Sequence, residues 1–285
     1  MEKLLYLFLS VSLSSGRNIT TKKTAIETNV KSQFFLSQSL LFGAGGLLIS
    51  FFGIKDLTKL SALTILYGVI YGILLIASQW AFAFSLKIGS TAICSVIYSL
   101  GFILPTVSGA VFWGEDFTVL HLLGVLGAIS VILLTARKDG TNHPSNKGFI
   151  PFIVLAMLSS GGLGIMQKIQ QSSDVSNRSG GFLFIAFTLA FTCTLFPFVI
   201  YCEKTAFKIK NSIYPAITGL CFGGANLCNT ILAGKMKSAV FFPLQSISTI
   251  LLTTLLSALL FKEKTTKKMV VILLLGVVII ILFSL

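Results

Sequence analysis

The sequence predicts an all-α integral membrane protein of ten transmembrane helices, arranged as two inverted five-helix repeats. Three observations lead there. Charged residues make up 11% of the 285-residue chain against 54% hydrophobic, where a soluble domain carries about 25% charged residues. The apolar residues come in blocks close to the roughly 20 residues that a helix needs to cross the hydrocarbon core. The chain also echoes itself, since Leu13-Ser14-Ser15-Gly16 returns as Leu158-Ser159-Ser160-Gly161 at an offset of 145.

The apolar segments cover 4–21, 33–53, 62–86, 90–113 and 118–136, then 149–168, 180–202, 212–234, 238–261 and 268–285. Five precede the polar connecting loop 137–148 and five follow it, so the expected repeats are 1–136 and 149–285. These lengths suit helices, because strands of a membrane barrel alternate over about ten residues. The first segment has a second reading. Its strongly apolar part runs only from Leu4 to Leu13 behind Lys3, which also describes a signal peptide. The echo at 158–161 favours a retained helix, since a discarded leader has no reason to resemble the start of the second half.

The offset of 145 also carries Lys23 onto Lys168, while Arg17 falls on Gly162 and Asn18 on Leu163. Further along, an offset of 148 carries Ser78 onto Asn226, Lys87 onto Lys235, Ser90 onto Ser238, Ala110 onto Ala258 and Glu115 onto Glu263. The lysine and the glutamate are the informative matches, because apolar helices resemble one another by composition alone. Two halves of five helices each must enter the membrane in opposite directions. That plan recurs in secondary transporters, which bind substrate near the midplane between the repeats.

The stretch from Phe84 to Ala92, then an apolar helix, then Phe112-Trp113-Gly114-Glu115, resembles the drug/metabolite transporter superfamily in its ten-helix EamA-type branch. The second copy, Gly234 to Ala239 and then Leu260-Phe261-Lys262-Glu263, departs from the pattern at Lys262, where glycine is usual. The resemblance spans nearly the whole chain. It implies a carrier that exports, imports or exchanges a small metabolite by alternating access, in the cell membrane, on the model of bacterial inner-membrane relatives. Amino acids, nucleotide sugars and phosphorylated sugars all occur among the substrates of that superfamily, so the substrate stays open.

The net charge of +13 needs no nucleic-acid partner, since loop lysines facing an anionic leaflet account for it. The side shared by both termini carries seven Lys and Arg, with Lys168 among them, and the opposite side fourteen. Positive charge on the cytoplasmic side would put both termini outside, whereas the resemblance implies cytoplasmic termini. Orientation is left open, as is a homodimer.

Chemistry for catalysis is sparse. Five cysteines without a CxxC pair and two histidines argue against a disulfide framework or a metal centre. All nine acids fall in loops or at helix ends, so a membrane-embedded carboxylate relay is not expected, and neutralising Glu115 or Glu263 is expected to leave transport largely intact. Paired acids and nucleophile–base pairs are lacking too, which speaks against an enzyme; no cofactor is expected. An integral-membrane enzyme and a non-transporting membrane subunit are the alternatives to a carrier.

Arg17 is the one charged residue expected inside the membrane. It lies roughly 20 Å along its helix, past the middle of a core about 30 Å thick. There it either faces a wet cavity and an anionic substrate, or its helix ends near Gly16 and it snorkels to a headgroup. The expected substrate-binding set is Arg17, Asn18, Trp80, Tyr98, Asn226, Asn229 and Gln245. The competing reading for each polar group is a hydrogen bond between helices, worth about 0.6 kcal/mol on average. The glycine pairs Gly68/Gly72 and Gly219/Gly223 read as close helix packing.

Overall fold

A computed structural model describes the chain outside residues 1, 28–30, 58–59, 89–96, 117, 137–148, 202–208, 261–270, 272–273, 276–277 and 280–285. Among the described residues there is no strand. The helices are α1 (Glu2–Glu27), α2 (Lys31–Leu57), α3 (Ala62–Ile88), α4 (Ile103–Trp113), α5 (Val119–Ala136), α6 (Phe149–Gln171), α7 (Ser179–Ile200), α8 (Ile209–Lys235) and α9 (Ser238–Leu260). Six helical stretches among the described residues are long and apolar enough to cross a membrane. The expected tenth segment, 268–285, lies largely outside the described residues, with short helical pieces at 271, 274–275 and 278–279.

The chain forms two compact units, and each draws on both halves of the sequence. Unit 1 is Met1–Ile73 with Ile169–Gly234, and unit 2 is Leu74–Lys168 with Lys235–Leu285. The boundaries therefore fall inside α3 and α6, and near the end of α8.

In unit 1, α2 and α7 lie antiparallel along their whole length. Phe35 stacks on Tyr201 at one end, with ring centres 6.2 Å apart. Gly43 faces Phe191 further along, and Gly53 meets Gly180 near the other end. A Cβ on Gly53 would lie 2.7 Å from the Gly180 Cα, so the two backbones touch. The Asp56 carboxylate closes the pair by accepting the Gly180 N–H at 2.9 Å, a carboxylate at the positive start of α7. Both expected glycine pairs pack as the sequence suggests. Gly68 and Gly72 of α3 lie on Ile185 and Ala186 of α7, while Gly219 and Gly223 of α8 lie on Leu41 and Gly45 of α2.

In unit 2, the second half of α3 packs against α6. Ala81 joins Ile153 and Ala156 in a buried cluster, and Phe84 faces Phe152 with ring centres 5.6 Å apart. Helix α9 packs against α4 and α5. Before α4, the backbone tightens into a 3-10 turn at Leu100–Phe102. That irregularity immediately precedes Pro105, whose ring removes one backbone donor from the helix ladder.

Candidate functional site

Arg17 lies inside a continuous helix. The sequence left open a first helix ending near Gly16, with the guanidinium at the headgroups. Helix α1 instead continues to Glu27, ten residues beyond Arg17. Its guanidinium turns onto α8, with Cζ 4.1 Å from the centre of the Phe222 ring, and the side chain is half-buried.

A ladder of contacts along α1 and α8 fixes that placement. Ser10 Oγ donates to Asn229 Oδ1. Leu13 lies on Gly224, and Gly16 on the Cys221 sulfur. Arg17 covers Phe222, and Thr218 Oγ1 donates to Thr20 Oγ1 at 2.7 Å. From Ser10 to Thr20 the partners on α8 run back from Asn229 to Thr218, so the helices run antiparallel. Ser10, Leu13, Arg17 and Thr20 recur at intervals of three and four, which puts them on one helix face.

The guanidinium meets no carboxylate among the described residues. Stacking on a ring uses its flat face. The five N–H donors lie in the guanidinium plane, so its edge can still fork onto a carboxylate or phosphate.

Of the other expected residues in unit 1, Asn226 is buried. Tyr71 Oη donates to its Oδ1 at 2.5 Å, and its own Nδ2 donates to the Phe222 carbonyl at 2.8 Å. Asn229, one turn further on, is half-buried and holds Ser10. Asn18 is exposed.

Trp80, Tyr98 and Gln245 belong to unit 2. Tyr98 Oη lies 3.0 Å from Ser78 Oγ, and its ring centre is 4.5 Å from that of Phe82. Trp80 and Gln245 are half-buried. Thr106 Oγ1 donates to the Phe102 carbonyl at 2.8 Å, and Ser108 Oγ to the Pro105 carbonyl at 2.9 Å.

Two features were not legible beforehand. Phe222 carried no signal as one of 25 phenylalanines. The second is a buried ion pair in unit 2. Lys168 sits in the last turn of α6 with its Nζ 2.6 Å from Glu115 Oε1, and the two side chains are only 10% and 11% exposed. Lys168, one of the seven Lys and Arg assigned to the side of the termini, thus has a buried carboxylate partner. Neutralising Glu115 would leave that buried ammonium without its carboxylate. Glu263 lies outside the described residues. Next to this pair, Lys237 meets Asp116 at 2.7 Å in an exposed bridge.

No curated protein matches the chain. One solved structure, described only as the crystal structure of a protein, overlays with a TM-score of 0.79. The match covers 99% of this chain and 96% of that one at 16% identity, so the likeness concerns the fold. The family model described as sugar transport protein matches residues 117–285, more than half of the sequence. With its several membrane-length helices, the chain is a multi-pass membrane protein, and it belongs to the sugar transport protein family.

Proposed function

We propose that the protein is a secondary carrier working by alternating access in the cell membrane, and that its solute is a small polyhydroxylated molecule with a negative group. The observation that carries the anionic part is Arg17: a guanidinium well inside α1, stacked on Phe222 and without a carboxylate partner among the described residues. In this reading the ring fixes the plane of the guanidinium, and the forked edge takes the anion. Asn226 and Asn229 are the expected hydroxyl contacts on α8, about one and two turns from Phe222. Within unit 2, taken by itself, the expected polar candidates are Trp80, Tyr98 and Gln245.

The inverted-repeat reading, and with it the EamA-type plan of ten helices, draws support from the helix directions. The second helices of the two halves, α2 and α7, run antiparallel. The fourth helices behave likewise, since α4 ends where α9 begins and Gly164 touches both Pro105 and Phe242. The repeat also relates contacts: it carries Arg17 and Phe222 onto Gly162 and Leu74, and a Cβ on Gly162 would lie 3.3 Å from Leu74 Cδ1.

The test is initial uptake into proteoliposomes of D-glucose and D-glucuronate, by wild type and Arg17→Ala. Preference for glucuronate, lost in Arg17→Ala, supports the proposal. The family description favours a second reading, a neutral sugar, with Arg17 as a packing residue on Phe222. Uptake of glucose alone, unchanged in Arg17→Ala, would select it.

A further inference from the structure

Helix α4 ends in a way that aims one carboxylate at three other groups. Gly114 takes φ 59, the left-handed conformation, and the Glu115 N–H folds back to the Gly109 carbonyl at 3.2 Å. This glycine-capped ending lays Glu115 over its own helix, at a point where only glycine fits. A Cβ on Gly109 would lie 2.5 Å from Glu115 Oε2 and 2.6 Å from the Ser238 Cβ.

From there Glu115 serves two helices at once. Its Oε2 accepts the Ser238 N–H at 2.5 Å, and its Oε1 lies 3.3 Å from the donating Ser238 hydroxyl. Ser238 is the first residue of α9, so the carboxylate sits at the positive end of that helix. The same Oε1 meets Lys168 from α6, and the Lys168 ammonium also reaches the Met236 carbonyl at 3.5 Å. Around the two-residue link from α8 to α9, Met236 is therefore held by Lys168 and Ser238 by Glu115. The pair also lies where the chain leaves unit 2, after Lys168, and re-enters it, at Lys235.

We propose that Lys168 and Glu115 are positioning residues for the carrier: they lock the start of α9 to the ends of α4 and α6, and so set the depth of Gln245. Gln245 stands two turns beyond Ser238 on the same helix, about 10 Å along the axis. Opening the lock would leave a buried charge uncompensated, so it stays shut while the carrier works. The exposed Asp116–Lys237 bridge beside it is not part of the lock. The role of Gln245 rests on the transport reading above; the lock itself does not.

Two readouts let the lock and the transport reading fail separately. The first is the melting temperature of the purified protein in detergent. Glu115→Gln and Lys168→Met should each lower it by several degrees, and the neutral double variant E115Q/K168M should recover much of the loss. The charge swap E115K/K168E should recover none, because it turns an ammonium toward the positive start of α9. Asp116→Asn should melt like wild type. The second readout is uptake of D-glucose and D-glucuronate in proteoliposomes, normalised to folded protein. For a probe that wild type takes up, Lys168→Met should raise KM about threefold or more with little change in Vmax, the mark of a displaced binding group. A swap that melts like wild type, unchanged melting throughout, or a lowered Vmax at unchanged KM would each overturn the proposal. If wild type takes up neither probe, the transport reading fails and the melting series alone decides the lock.

Discussion

The guanidinium of Arg17 lies 4.1 Å from the centre of the Phe222 ring. One residue supplies the only charge expected in the membrane part of α1, and the other supplies the surface that orients it.

Arg17→Ala should cut uptake of an anionic sugar about tenfold or more, the scale of a lost hydrogen bond to a charged group. Arg17→Lys should fall between, since a lysine keeps the charge and loses the fork. Phe222→Leu should cost less, because the ring contact is worth only about 0.5–2 kcal/mol. Initial rates per inserted carrier give the order, and a Phe222→Leu defect larger than that of Arg17→Ala would contradict it.

If the halves are inverted, positions after the second helix of each must face opposite sides of the membrane. Leu60 follows α2 and Tyr201 follows α7, and both are exposed. In a cysteine-free background, Leu60→Cys and Tyr201→Cys should react with an impermeant maleimide from opposite sides of intact cells. Labelling of both from one side would rule out the inverted arrangement.

Gly53→Ala and Gly180→Ala should both destabilise the protein by about 1–3 kcal/mol, the usual cost of overpacking. Each added methyl would enter the space of the other helix's backbone, which cannot swing aside as a side chain can. Gly114→Ala meets no neighbouring atom within 4 Å, and its cost comes from the left-handed backbone alone. Thermal melting in detergent compares the three.

The Lys237 ammonium, through its hydrogen bond and charge, holds the Asp116 carboxyl below its usual range. A depressed carboxylate contributes stability above its unfolded value, about 3.9, and loses it as pH falls through the lower folded value. From pH 5 to 8 the bridge should therefore add no slope to the melting temperature. Because the pair is exposed, Lys237→Ala should melt within error of wild type in low salt and high salt alike.

Most helices were legible because an apolar run long enough to cross a bilayer has few alternatives in water or lipid. The end of α1 was not. Its polar run from Thr20 to Glu27 reads as a loop, yet the backbone stays helical through it. The partners of the key charges were hidden by distance along the chain: Phe222 is 205 positions from Arg17, and Lys168 is 53 from Glu115. A lysine at the edge of an apolar segment looks the same whether it meets water or a carboxylate. For Asn226 the sequence offered a solute or a neighbouring helix, and the structure supplies the neighbour in Tyr71.

The pairing of α2 with α7 has a consequence for how the protein is made. About 120 residues separate the end of α2 from the start of α7, so the ribosome delivers α2 to the membrane well before its partner exists. Until α7 emerges, Gly43, Gly45 and Gly53 present a bare backbone groove to lipid, with nothing to fill it. A nascent chain that ends after α5 holds α2 without α7 and α4 without α9, so neither unit has all its helices. Because each unit takes helices from both halves of the sequence, neither can finish packing until the second half has been made.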